Sequence, residues 1–334
     1  MRFRTAFALV MLGVAAVAVG CDGTEAPTAG TTGTPSIEET AAPTMAPTAA
    51  PTETPSPALP AAGAACSLGP SGAFVAGETT SGAITSGGRE RTFHLYVPSA
   101  YDGSAELPLV MNFHGLGSNG GAQHLYAGFV PIAEREGFFV VSPNGVNNSW
   151  LITPGVNDIE FARDLVASLA EEVCIDTGAV FSTGMSNGGF ISAALACVAA
   201  DLVAAVAPVA GVLGATANCG EPVPMLQFHG TNDFVVPYAP GIISVTGGPF
   251  AGIEAIMASW GEQNRCDGER AVTAVSESVE LVEFSGCAAP TGHYVVNGGG
   301  HTWPGGPAVE RLGLTTQEIS ASELIWEFFA ANRR

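Results

Sequence analysis

The chain contains no lysine. Its 11 basic side chains are all arginine, set against 31 aspartates and glutamates. The formal net charge of -20 argues against nucleic acid or an anionic membrane face as a partner, since both require a basic surface. Bulk charge of this sign fits a neutral substrate, or life in salty or acidic surroundings. No Cys-x-x-Cys pair occurs, which speaks against a structural zinc or a dithiol redox site. There is no internal repeat, and no second apolar run of export length follows the first. Charged residues are scarce at 13% while hydrophobic residues reach 47%, so a sizeable core is expected. The 334 residues give room for one large α/β domain or two small ones.

The stretch that organises the rest is Val180-Phe181-Ser182-Thr183-Gly184-Met185-Ser186-Asn187-Gly188-Gly189. It predicts a buried strand, a sharp turn, and an apolar helix from Phe190 to Val198. Gly184-Met185-Ser186-Asn187-Gly188 fits Gly-x-Ser-x-Gly, the nucleophile elbow. A serine on so tight a turn crowds the positions two residues to either side, and glycine alone leaves room. The hydroxyl would stand at a helix N-terminus, where free N–H groups and the dipole favour developing negative charge.

The first 20 residues read as an export signal. Arg2 and Arg4 precede an apolar run from Ala6 to Val19. The run ends Ala18-Val19-Gly20-Cys21, which resembles a bacterial lipoprotein signal cleaved before Cys21, with that cysteine then lipidated. Residues 21–65 are rich in proline, threonine and alanine and have almost nothing large and apolar to bury. They predict a disordered tether, with the lipid the only contact to a membrane. The catalytic domain is expected over 66–334, as a monomer. Within it lie Cys66, Cys174, Cys197, Cys219, Cys266 and Cys287, an even number that in an exported chain predicts disulfides. Cys174 precedes the elbow strand and Cys197 ends the helix after it, which predicts Cys174–Cys197. Cys266–Cys287 would close the segment before the last strand, leaving Cys66–Cys219 by elimination.

Along the domain, residues 77–85 and 89–97 alternate apolar and polar around Ser86-Gly87-Gly88, a hairpin signal. Continuous apolar runs at 107–113, 138–142, 202–209 and 224–228 predict buried parallel strands. Helical patterns cover 121–136, 157–173, 250–264 and 317–331, and further strands are expected at 280–284 and 294–296. Strands alternating with helices after an opening hairpin predict an α/β-hydrolase-type, doubly wound, mostly parallel sheet.

Such sheets hold ligands at the carboxyl ends of their strands. Ser186, Asp233 and His301 each sit at such an end, in the chain order Ser, Asp, His used by α/β-hydrolases. Serine is a poor nucleophile at neutral pH, so an imidazole must take its proton and a carboxylate must hold the imidazole. His301 follows Gly298-Gly299-Gly300, a loop able to carry its ring over the serine. His114 and His229 each follow a strand and are expected to position loops. Asp201 is the rival acid. The backbone N–H groups of Leu116 and Asn187 are the expected oxyanion donors. Trp150 and Trp303 are candidates to line the substrate pocket. No metal or organic cofactor is called for.

Gly-Met-Ser-Asn-Gly-Gly at 184–189, His-Gly-Thr-Asn-Asp at 229–233 and Gly-Gly-Gly-His-Thr-Trp-Pro-Gly at 298–305 resemble secreted esterases of the polyhydroxybutyrate depolymerase and feruloyl esterase-like group. Arg91 to Pro98 and Phe113 to Gly117 match that group's opening motifs. The resemblance implies ester hydrolysis through an acyl-enzyme, with Ser186, Asp233 and His301 as the triad. It leaves hydroxycinnamoyl, acetyl and hydroxyalkanoate esters all open. Two other readings remain: a serine peptidase on the same scaffold, and a hydrolase-fold binding lipoprotein without turnover.

Overall fold

A computed structural model describes Gly69 and residues 72–334; the signal, the tether, Cys21 and Cys66 lie outside the described residues. The opening hairpin is β1 (Thr79–Ser86) and β2 (Arg89–Tyr96). Gly87 and Gly88 join them with φ of 56° and 70°, the two-residue turn whose twist matches paired strands. Strands follow at β3 (Leu107–Phe113), β4 (Phe139–Pro143), β5 (Ile175–Met185), β6 (Ala205–Val209) and β7 (Met225–Gly230). A short pair, β8 (Gly241–Ile242) and β9 (Pro249–Phe250), stands apart, and β10 (Arg270–Ala274), β11 (Val279–Phe284) and β12 (Thr291–Val296) complete the set.

One ten-stranded sheet runs β1-β2-β4-β3-β5-β6-β7-β12-β11-β10. From β4 to β12 every pairing is parallel, and both flanks are antiparallel. Strand β3 shows why the middle is apolar throughout. Leu109, Met111 and Phe113 enter one core and Val110 the other. Helices α3 (Asp158–Ala170), α4 (Asn187–Val198) and α5 (Ile253–Gln263) cover the first face through Phe161, Leu165, Ile191, Leu195, Met257 and Trp260. Helices α1 (Gly120–Ala127), α2 (Val130–Glu136) and α6 (Ala321–Ala331) cover the other, where Trp326 stacks on Phe138 and Phe329 on Phe181. Each such side chain, fully buried, contributes about 1.5–3 kcal/mol relative to exposure. This is the expected α/β-hydrolase architecture, with a sheet buried on both faces.

Two expectations need correction. The helix expected over 121–136 is two helices, because Gly128 turns left-handed at φ 66° and Pro131 opens the next with no N–H to donate. The disulfides also differ. Cys197 pairs with Cys219, not Cys174. The loop after β6 doubles back along the end of α4, where the Gly220 N–H donates to the Cys197 carbonyl at 2.7 Å. Cys174 is disulfide-bonded elsewhere, and its backbone N–H donates to the Tyr101 hydroxyl at 2.8 Å. That excludes Cys174–Cys197 and Cys66–Cys219 alike, while Cys266–Cys287 forms as expected.

Candidate active site

Strand β5 ends at Met185, and Ser186 follows with φ 57° and ψ -116°, a conformation L-residues rarely adopt. The elbow closes because its glycines have no side chains. A Cβ on Gly184 would lie 2.7 Å from the Gly188 carbonyl, and one on Gly188 would lie 2.0 Å from the Phe113 oxygen. The Ser186 N–H donates to Val209 at 2.8 Å, and its carbonyl accepts from Phe190 at 3.0 Å. A serine at the start of a helix ordinarily turns its hydroxyl back to cap the first turn. Ser186 stands at that position in α4 and makes no such bond. Its side chain instead lines a cavity of about 470 Å³, shared with His301, Leu116, Tyr126, Val235 and Leu312.

His301 is brought there by a pinned loop. Its N–H donates to the Leu312 carbonyl at 2.7 Å, and the Gly300 N–H donates to Leu314 at 2.9 Å. The His301 ring donates from Nδ1 to Asp233 Oδ2 at 2.7 Å. That leaves Nε2 as the ring's free basic position. Asp233 follows β7 and is buried to 4% exposure. Its Oδ1 accepts the N–H groups of Val235 and Val236 at 2.8 and 2.9 Å. His229 Nε2 approaches Oδ2 at 3.4 Å while donating to the Val236 carbonyl at 2.8 Å. Burial alone would raise the Asp233 carboxyl, but the bonds from His229 and His301 outweigh it and hold the group down at about 2. The rival Asp201 is elsewhere, ion-paired with Arg163, with its side chain 69% exposed.

The other histidines are structural. His114 is buried and donates from Nδ1 to Gly115 O at 2.8 Å, while its Nε2 accepts the Gly145 N–H at 2.9 Å. Burial lowers its pKa, so it remains a neutral strut under the turn that carries Leu116. His124 bridges Thr79 and Ser142, and burial holds it at about 4. His94 bonds the Ser81 hydroxyl across the hairpin, and His293 meets Glu254.

The tryptophans do not line the cavity. Trp150 is fully buried, with its Nε1–H donating to the His114 carbonyl at 2.9 Å and its ring stacked on Phe161. Trp303 is 1% exposed, and its Nε1–H donates to Ser322 Oγ at 2.9 Å. An indole enclosed on both faces with its donor satisfied has nothing to offer a substrate. Trp150 instead supports the elbow. Asn187 Oδ1 accepts the Trp150 N–H at 2.7 Å, and Asn187 Nδ2 donates to the Trp150 carbonyl at 3.1 Å. Behind it, Asp158 accepts the Leu151 N–H at 2.8 Å and pairs with buried Arg91 at 2.8 Å. The side chain of Asn187 is thus clamped at the first position of α4. The turn bearing Leu116 is pinned by the Gly117 N–H donating to Asn148 at 2.8 Å. Asn187→Ala strips both Trp150 backbone groups of partners. The expected cost is about 1–3 kcal/mol, read as a Tm lower by several degrees. An unchanged Tm would show the clamp to be dispensable.

No family model matches the chain. A probable feruloyl esterase C of Aspergillus terreus is 30% identical over 262 residues, covering 75% of this chain and 87% of that protein. The chain belongs to the feruloyl esterase-like family of α/β-hydrolases. It is a carboxylic ester hydrolase. Feruloyl esterase C of Emericella nidulans is likewise 30% identical, over 261 residues, with 75% and 87% coverage. Feruloyl esterase B of Piromyces equi is 28% identical over 220 residues, but the match spans only 41% of that protein. Among solved structures, the acetyl xylan esterase of Aspergillus awamori has the same fold, with a TM-score of 0.53, 15% identity, and coverage of 75% of this esterase and 99% of that chain.

Proposed function

We propose that the esterase acts outside the cell on hydroxycinnamoyl or acetyl esters of cell-wall polysaccharide, through an acyl-enzyme on Ser186. The observation that carries this reading is the 2.7 Å bond from His301 to Asp233, with the ring and an uncapped Ser186 facing one cavity. Ser186 Oγ attacks the ester carbonyl carbon while His301 Nε2 takes its proton. The N–H groups of Asn187 and Leu116 receive the oxyanion. The tetrahedral intermediate collapses by breaking the bond to the alcohol, which leaves with the proton held by His301. Water, deprotonated by the same ring, then attacks the acyl carbon and frees Ser186.

The names of the relatives favour aryl or acetyl esters over a polyester. The signal-like N-terminus and the disulfides favour export, and Cys21 would be the anchor point. Methyl ferulate, acetylated xylan and hydroxybutyrate oligomers separate the substrate classes. We expect kcat/KM on one of the first two to exceed that on the oligomers by at least about tenfold, roughly 1.4 kcal/mol of transition-state binding. The reverse order would move the assignment to hydroxyalkanoate esters.

A further inference from the structure

Five arginines among the described residues are paired with carboxylates. Arg91, Arg135, Arg163, Arg265 and Arg270 each hold an ion pair. Arg311 holds none among the described residues, and it lines the cavity of Ser186 and His301. Its chain neighbour Glu310 is not part of that wall. Among the described residues no other arginine and no aspartate or glutamate lines the cavity; the remaining wall is largely apolar, with Leu116, Met185, Val235, Val245 and Leu312. Arg311 is also well placed mechanically. It sits in the short helical turn Glu310–Leu312, and the Leu312 carbonyl accepts the His301 N–H at 2.7 Å. A Cβ on Gly300 would lie 2.2 Å from the same carbonyl oxygen, so the two segments are in direct contact.

We propose that Arg311 is a specificity residue that selects esters bearing a carboxylate close to the scissile bond. The proposal rests on the reading of Ser186 as nucleophile. Guanidinium matches carboxylate in a planar, two-bond geometry, and a wall with no competing anion leaves its donors available. The net charge of -20 points to a neutral substrate only at long range. Screening cuts off that field beyond about 8 Å at physiological salt, whereas contact with Arg311 acts within the cavity. The carboxylate could belong to the acyl or to the alcohol half.

Matched pairs of carboxylate and amide distinguish the two. Monomethyl adipate against methyl adipamate tests the acyl side; 4-acetoxybenzoate against 4-acetoxybenzamide tests the alcohol side. In at least one pair, kcat/KM for the carboxylate is expected to exceed that for the amide by about threefold to tenfold, the range of a partly exposed charged pair. That preference should shrink as salt rises, vanish in Arg311→Gln and reverse in Arg311→Glu. A carboxylate-to-amide ratio that is the same in wild type, Arg311→Gln and Arg311→Glu for both pairs overturns the proposal. Ser186→Ala is run beside them. If it still turns over the amide esters at the wild-type rate, the nucleophile assignment has failed, whatever Arg311 does.

Discussion

Ser186→Ala is expected to fold like the wild type and to hydrolyse p-nitrophenyl acetate about 10⁴–10⁶-fold more slowly. The large effect follows from the proposed mechanism, in which no acyl-enzyme can form without the Ser186 hydroxyl. Folding should survive because the positive φ of Ser186 is imposed by the elbow around it. Its backbone bonds to Val209 and Phe190 do not use the side chain. What activity persists would come from the oxyanion donors and the cavity. A wild-type rate in the variant would end the assignment of Ser186, and acetyl found on another residue after acid quench would name its replacement.

The second large effect is expected at Asp233. Asp233→Asn keeps an oxygen for the N–H groups of Val235 and Val236 but places an amide against His301 Nδ1. The ring must then accept at Nδ1 and carry its hydrogen on Nε2, the wrong tautomer for taking the serine proton. A loss of about 10⁴ in kcat is expected, with a far smaller relative effect on KM. A variant retaining a tenth of the wild-type rate would exclude Asp233 as the orienting acid. The same carboxylate makes a statement about pH. Its pKa is depressed from 3.8 to about 2, so its contribution to stability is complete above about pH 4 and is lost as pH falls through about 2. The carboxylate therefore stays ionised through mild acidification.

The central strands could be read from sequence because both their faces are buried, which leaves long apolar runs such as Leu107–Phe113. The hairpin could be read because Gly87-Gly88 permits one turn geometry. Strand β10 escaped notice because every residue from Arg270 to Ala274 is exposed, so no alternation marks it. Ser186, Asp233 and His301 stand out in the sequence because the glycines and strand ends around them are local signals. The clamp of Asn187 on Trp150 is not local: it joins positions 37 apart in sequence. One clue to it was present. Arg91 alternates with Phe93 and Leu95 on the inward side of β2, and a charge at such a position needs a buried partner. The Cys197–Cys219 pairing depended on the path of the loop after β6, which composition does not reveal.

The loop of His301 and the turn at 310–312 are bonded into one piece, and that piece supplies both the His301 ring and part of the cavity wall. On the proposed assignment of His301, catalysis and choice of substrate would be inherited together on that side of the site. A lineage adapting to a new ester through Leu312 would disturb its proton transfer, whereas Val245, on a separate segment, lets the pocket diverge while the chemistry stays as it is.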